Sequence, residues 1–312
     1  ILLSLISAVL LGLYDIAKKL SVRDNAVPMV LLMSVSIAAC LYAPVIVWSS
    51  LAPESIAWSS FVVKPLSWPR HGLLFCKSVL VGASWTLAYS ALKHLPLSIA
   101  VPIRATSPFW TIAIATLFFG ERPTWIQWTG MAVVLFGFWR FTLVGRREGI
   151  RFTRDRSVGL MMIATLLGSC SAIYDKWLLQ IADFDPVTMQ AWFSVYLVPV
   201  MIPLAWRWHR YDRPGKGRLA SDSAGVVSPG QAFHWRLSIL AVSPLLLIAD
   251  WFYFVALTDE QAMVSIVSVI RRTSVVIALA FGAHALSEAN FRAKAVCVGV
   301  ILGGVVLLTW HG

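Results

Sequence analysis

Charge is what this sequence has least of. Asp, Glu, Lys and Arg together make up 13% of its 312 residues, whereas 58% are hydrophobic and the mean hydropathy is +0.76. An ordinary soluble domain is about a quarter charged. A chain of this length can bury a large core, but it still needs a polar exterior, and too few polar side chains exist to make one. A soluble globular class is therefore excluded. Cysteine is also scarce. Cys40, Cys76, Cys170 and Cys297 each lie within an apolar run at wide, irregular spacing. With no CxxC and no Cys/His cluster, neither a disulfide framework nor a metal site is expected, and the four read as small buried hydrophobes. Enzyme signatures are missing as well: the chain has no P-loop, no G-x-S-x-G and no H-E-x-x-H, and its six histidines form no metal-ligand pair. No catalytic role and no cofactor are expected.

What is there is a series of long apolar runs. A bilayer core takes about 20 apolar residues per helix, and ten windows qualify: 2–20, 27–48, 72–92, 97–119, 124–144, 157–181, 186–206, 235–257, 261–285 and 292–310. A membrane β-barrel would instead alternate apolar and polar residues in short segments. The expected class is an all-α integral membrane protein with ten transmembrane helices. The first run contains Asp15 and two lysines and heads a series of similar runs, so it reads as a spanning helix rather than a signal peptide. The net charge of +11 sits in short segments between the apolar runs, as membrane anchoring requires. The bilayer, not nucleic acid, is the expected partner of that charge.

The two halves resemble each other. "GLYDIAKK" in the first run is echoed by "AIYDKWLL" in the sixth, which pairs Tyr14 and Asp15 with Tyr174 and Asp175. "IRATSPFWTIAIATLFFGE" in the fourth aligns without a gap with "IRRTSVVIALAFGAHALSE" in the ninth. That register pairs Arg104 with Arg271, Thr106 with Thr273, Ser107 with Ser274 and Glu121 with Glu288. An odd number of spans inverts the second copy, so two inverted five-helix repeats are expected, at 1–145 and 157–312, joined by a basic linker at 146–156. Inverted repeats with a site between them are a common transporter design. The longer connection "RWHRYDRPGKGRLASDSAGVVSPGQAFHWR" is rich in Pro, Gly, Ser and charge and reads as a solvated loop.

The informative residues are the charges inside the apolar runs. An arginine at mid-bilayer is costly, so Arg104, Arg271 and Arg272 should face a cavity or a partner. A structural ion pair with Asp15 or Asp175 is one reading. The other follows from the surplus of positive charge, because guanidinium offers forked, charge-assisted donors that suit phosphate or carboxylate. Tyr14, Asp15 and Lys18 share a helical face. Lys18 either faces the cavity or snorkels, and Lys19 is expected to snorkel to the headgroups. Lys77 and His94 read as interfacial. Asp250 either carries a coupling proton or pairs with a cation. Trp85, Tyr89, Trp251 and Tyr253 read as an aromatic belt before they read as a cavity wall. Gly299, Gly303 and Gly304 suggest close helix packing, and Pro102 and Pro108 suggest a kink around Arg104.

Several of these segments resemble the drug/metabolite transporter superfamily of EamA type. The carrying residues are the opening helix, "YSALKHLPLSIA", "FFGERPT", and a pattern of Ser107, Pro108, Gly120 and Glu121 whose second copy keeps Ser274 and Glu288. The resemblance covers nearly the whole chain and implies ten helices in two repeats. Three segments further resemble the triose-phosphate/organic-phosphate translocators: "YDIAKKL" with Lys18 and Lys19, "IRATSPFW" with Arg104, and "SVIRRTSVV" with Arg271 and Arg272. This closer resemblance implies that these cations hold a substrate phosphate, with Arg in place of Lys at two positions and Asp15 where that family has a neutral amide.

The expected function is a secondary transporter in the plasma (inner) membrane, moving a small anionic metabolite by alternating access. Expected substrate contacts are Arg104, Arg271, Arg272, Lys18, Tyr14, Asp15, Tyr174, Asp175, Ser107 and Ser274. An amino-acid or drug exporter with structural arginines is the alternative, and a lipid-headgroup flippase is another. Basic loops at the first, fifth and seventh connections put both termini outside by the positive-inside rule, whereas the family resemblance implies termini inside. Substrate identity, coupling ion and oligomeric state stay open.

Overall fold

The computed structural model describes residues 2–56, 62–119, 123–150, 152, 154–212, 232–257, 272–287 and 290–309. Among them the chain is all-helical. The helices are α1 (Leu2–Val22), α2 (Val27–Leu51), the short α3 (Pro53–Ile56), α4 (Trp68–His94), α5 (Leu97–Ala105), α6 (Ser107–Phe119), α7 (Trp125–Arg147), α8 (Arg156–Gln180), α9 (Pro186–Arg207), α10 (Leu237–Leu257), α11 (Ser274–Ala285) and α12 (Phe291–Thr309). Seven segments within them are long and apolar enough to cross a membrane, fewer than the ten expected. The shortfall has physical causes. α1 has 21 residues but carries Asp15, Lys18 and Lys19 in its second half. α10 and α11 qualify only as the shorter stretches Leu237–Phe252 and Ser274–Ala285, and much of the ninth expected window, with Arg271, lies outside the described residues.

Helix starts follow local chemistry. Asp155 caps α8 by accepting from the backbone N–H groups of Ser157 and Val158, and Asp185 caps α9 by accepting from Thr188 N. Thr124 and Gln127 close a reciprocal capping box at the head of α7. Asp185 thus satisfies an N–H that would otherwise have no partner.

The fourth expected helix is broken. α5 ends at Ala105, Thr106 adopts a turn, and Phe109 N donates to Thr106 O at 3.0 Å. The ninth breaks in the same register, where Thr273 adopts a turn and Val276 N donates to Thr273 O at 2.9 Å. Pro102 and Pro108 bracket the first break, as the sequence suggested, but the second has no proline near it. What the two breaks share is the aligned Thr-Ser pair, Thr106-Ser107 and Thr273-Ser274.

Helix packing pairs the halves. α1 packs on α10 and α4 on α8, while α2 packs on α9 and α7 on α12. α1 also meets α11, and α6 meets α8. The α7–α12 crossing is close because glycines sit at it. A Cβ on Gly137 would lie 2.9 Å from Ile301 Cγ1, and one on Gly304 would lie 2.7 Å from Val134 Cγ2. Of the three C-terminal glycines flagged from sequence, only Gly304 is in this contact; Gly299 and Gly303 face open space.

Side-chain ties gather the helix ends at two faces. At the face of the basic connections, Lys19 Nζ donates to Leu92 O (2.7 Å) and Leu95 O (2.6 Å). There too Asn25 Nδ2 donates to His234 O, and Arg236 donates to Leu20 O. Lys19 is buried. The expectation that it snorkels is corrected, since its ammonium satisfies carbonyls at the C-terminus of α4. At the opposite face, Arg70 donates to Ala182 O and Asp183 O, and Lys64 N donates to Thr188 Oγ1.

Candidate functional site

A cavity of about 460 Å³ lies between the halves. Its wall comes from α1, α4, the α5–α6 break, α8, α9, α10 and the start of α11. Along α4 the lining residues Lys77, Val81, Ser84, Trp85, Ala88 and Tyr89 follow a helical stripe that covers ~18 Å of rise. The volume is therefore drawn out into a slot.

α1 supplies the first charged group. Tyr14, Asp15 and Lys18 share a face, are buried, and line the cavity. Lys18 Nζ lies 2.5 Å from Asp15 Oδ1 and 4.1 Å from the centre of the Tyr14 ring. The same carboxylate oxygen accepts from Arg104 NH1 at 3.2 Å. Arg104 belongs to the last turn of α5, where a cation suits the C-terminal end of the helix dipole. The break at Thr106 turns the chain so that Ser107 also lines the cavity. Ser169 Oγ lies 3.1 Å from Ser107 O and 3.2 Å from Ser107 Oγ, which ties α8 to the start of α6.

α4 and α8 supply the second group. Lys77 Nζ lies 2.5 Å from Asp175 Oδ1 and 4.8 Å from the centre of the Phe193 ring. Lys77 is buried, which corrects its sequence reading as an interfacial residue. α4 starts at Trp68 rather than at 72, so Lys77 lies ~13 Å inside its helix, on the same stripe as Trp85 and Tyr89. Asp250, Arg272 and Ser274 complete the polar lining.

Of the ten residues expected to contact substrate, Arg104, Arg272, Lys18, Tyr14, Asp15, Asp175, Ser107 and Ser274 line this one cavity. Tyr174 does not. Its hydroxyl donates to Leu73 O at 3.2 Å and its ring stacks on Trp177 with centroids 5.7 Å apart. Arg271, the remaining expected contact, lies outside the described residues, as do Gly120, Glu121 and Glu288. Trp85 and Tyr89 line the cavity, whereas Trp251 is exposed as a belt residue would be. Among the described residues, no group of three His, Cys, Asp or Glu side chains could hold a metal ion.

The cavity's charge balance is uneven. Lys18, Lys77, Arg104 and Arg272 face Asp15, Asp175 and Asp250 among the lining residues. The cations also differ in exposure. The side chain of Arg104 is 41% exposed, against 4% for Lys18 and 6% for Lys77.

Residues 1–143 match the EamA-like transporter family. No curated protein matches the chain. A solved structure titled only as the crystal structure of a protein is similar over 98% of this chain and 95% of its own, at 15% identity and a TM-score of 0.58. That likeness shows a fold shared with that structure over nearly the whole chain. The closer likeness to organic-phosphate translocators rests on the residues alone.

Proposed function

We propose, from the premise that residues 1–143 are an EamA-like transporter family domain in a multi-pass membrane transport protein, that the chain moves a small anionic metabolite by alternating access between two inverted five-helix halves. The observation that carries the anion is the surplus of cations over acids in a single cavity. A charge buried in a membrane protein is compensated or it serves a ligand, and the most exposed of the cavity's ion-paired cations Lys18, Lys77 and Arg104 is a guanidinium, whose fork matches phosphate or carboxylate. Arg104 binds the anion with Arg271 and Arg272. Asp15 and Lys18 orient Arg104, and Lys77 with Asp175 forms a second charged station along the slot.

Three observations support the inverted halves, 1–145 and 157–312. The helix pairs keep their pattern when the first five expected spans exchange with the last five: α1 on α10 becomes α8 on α4, while α2 on α9 and α7 on α12 map onto themselves. The helix breaks at Thr106 and Thr273 coincide in the sequence register. The end of the family match at residue 143 falls near the end of α7.

The exporter reading draws on the ion pairs themselves. Asp15 already holds Lys18 and Arg104, and Asp175 holds Lys77, so these cations can be structural and the substrate an amino acid or drug. Proteoliposome uptake with a panel of phosphates, carboxylates and amino acids separates the two, together with substrate affinity in folded Arg104→Gln and Arg271→Gln variants. Loss of one charge-assisted contact costs ~1.5–3 kcal/mol, or roughly 10- to 150-fold in affinity. Unchanged affinity for the transported compound in both variants makes the arginines structural and ends the anion reading.

A further inference from the structure

Lys294 is the most deeply buried cation among the described residues, with a side chain 0% exposed, and it takes no part in the cavity. It lies in the first turn of α12. Its ammonium reaches Glu148 Oε2 at 2.8 Å, just past the end of α7, and donates to Ser98 Oγ at 2.8 Å, in the first turn of α5. Glu148 uses its other oxygen to accept from Asn290 Nδ2 at 3.0 Å. Three helix ends at the basic-loop face are thus joined through one desolvated ammonium. Such a group is costly to strand but well satisfied as it stands.

The same register that pairs Arg104 with Arg271 pairs Gln127 with Lys294 and Gly137 with Gly304. The structure supports that register, because Gly137 meets Ile301 as Gly304 meets Val134, and Ile301 and Val134 are themselves a pair in it. Gln127 therefore stands at the opposite face where Lys294 stands at the basic-loop face. Yet Gln127 closes a capping box on its own helix and, among the described residues, reaches across the interface to Leu308 O alone, at 3.5 Å with no charge. One position is a buried ion pair on one face and a long neutral contact on the other.

We propose that Lys294, with Glu148 and Ser98, is a charged latch that holds the basic-loop face closed, and that its asymmetry with Gln127 biases the resting transporter toward opening at the other face. The glycine crossing binds α7 to α12 as a unit, so the bond that opening must break is the one from Lys294 to Ser98. Ser98 stands at one end of α5 and Arg104 at the other, ~9 Å along the same short helix. A ligand that pulls on Arg104 therefore works on the element the latch holds.

The inference rests on the alternating-access reading, and its test separates the two. Ala88, in the cavity wall, is replaced by cysteine in a chain whose four native cysteines are alanine. A membrane-impermeant maleimide is then applied from each face, with and without transported compound. The expected result is slow labelling from the basic-loop face in the parent and labelling about tenfold faster or more in Lys294→Gln, a shift well within what loss of a buried pair supplies. The Lys294→Gln/Glu148→Gln variant, which strands no charge, should behave alike and keeps the test valid if the single variant does not fold. Unchanged labelling in that double variant overturns the latch. Labelling of the parent from one face only, even during transport, overturns alternating access instead.

Discussion

Two adjacent glycines allow the helix crossing to be tested against its own control. A Cβ at Gly304 would lie 2.7 Å from Val134 Cγ2, 2.8 Å from Val134 N and 3.0 Å from Gly130 O. Two of these are backbone atoms, which cannot rotate aside, so α7 and α12 must separate. A Cβ at Gly303 meets nothing within 4 Å. Replacing a helical glycine with alanine gains ~1 kcal/mol of intrinsic propensity at either position. At Gly304 an overpacking cost of ~1–3 kcal/mol opposes that gain. Gly303→Ala should therefore be neutral or stabilising, and Gly304→Ala should lie ~1–3 kcal/mol below it. Helicity followed by circular dichroism as SDS is titrated into mild-detergent micelles gives the comparison directly. Equal stability of the two variants, within about 0.5 kcal/mol, would refute the crossing. Gly299→Ala serves as a second control, since it too has open space at its Cβ.

The Lys77–Asp175 pair should reveal itself in a double-mutant cycle. Asp175→Leu strands an ammonium whose side chain is 6% exposed, but water reaches Asp175, which is 34% exposed, so the loss should be ~1–3 kcal/mol rather than the larger value of a fully buried pair. Lys77→Met/Asp175→Leu should recover most of it in the same SDS titration; additive losses would mean that the pair is not formed. For orientation, the positive-inside rule expects the basic loops on the cytoplasmic side, so a cysteine introduced at Ser223 should react in intact cells only with reagents that enter the cell. Labelling by an impermeant reagent would reverse the assignment of the termini.

The helical class and the first charged group were legible because they rest on local rules: run length against bilayer thickness, and the i, i+3 and i+4 spacing of Tyr14, Asp15 and Lys18. Lys77 and Lys294 were not legible, because what decides a lysine's fate is the acid that meets it from another helix. Asp175 lies 98 residues from Lys77, and Glu148 lies 146 residues from Lys294. Lys19 misled for the same reason. Snorkelling is the default for a lysine near a helix end, and the carbonyls at the end of α4 that claim it come from a different part of the chain. The break at Thr106 was half legible. The prolines announced a kink, but the matching turn at Thr273, which has no proline near it, appears only in the structure.

These partners sort the intramembrane cations by what each one still has to offer. A buried ammonium whose donors reach a carboxylate and a hydroxyl, as Lys294 does with Glu148 and Ser98, gains little from a ligand and loses a great deal by moving. Lys18 and Lys77 each sit 2.5 Å from one acid with little exposed surface, and a ligand would have to compete with that acid. Arg104 differs. It shares Asp15 with Lys18 at the longer distance of 3.2 Å, and it exposes ten times the fraction of side chain that Lys18 does, 41% against 4%. An oxygen of Asp15 held between two cations is already committed to the closer one, so the guanidinium is the partner more easily drawn away. A cation whose own acid is half spoken for, set at the end of a short helix rather than in the middle of a long one, can turn toward an arriving anion without breaking a backbone hydrogen bond. Exposure, the shared acid and the helix break therefore converge on Arg104, rather than Lys18 or Lys77, as the group an anion would engage.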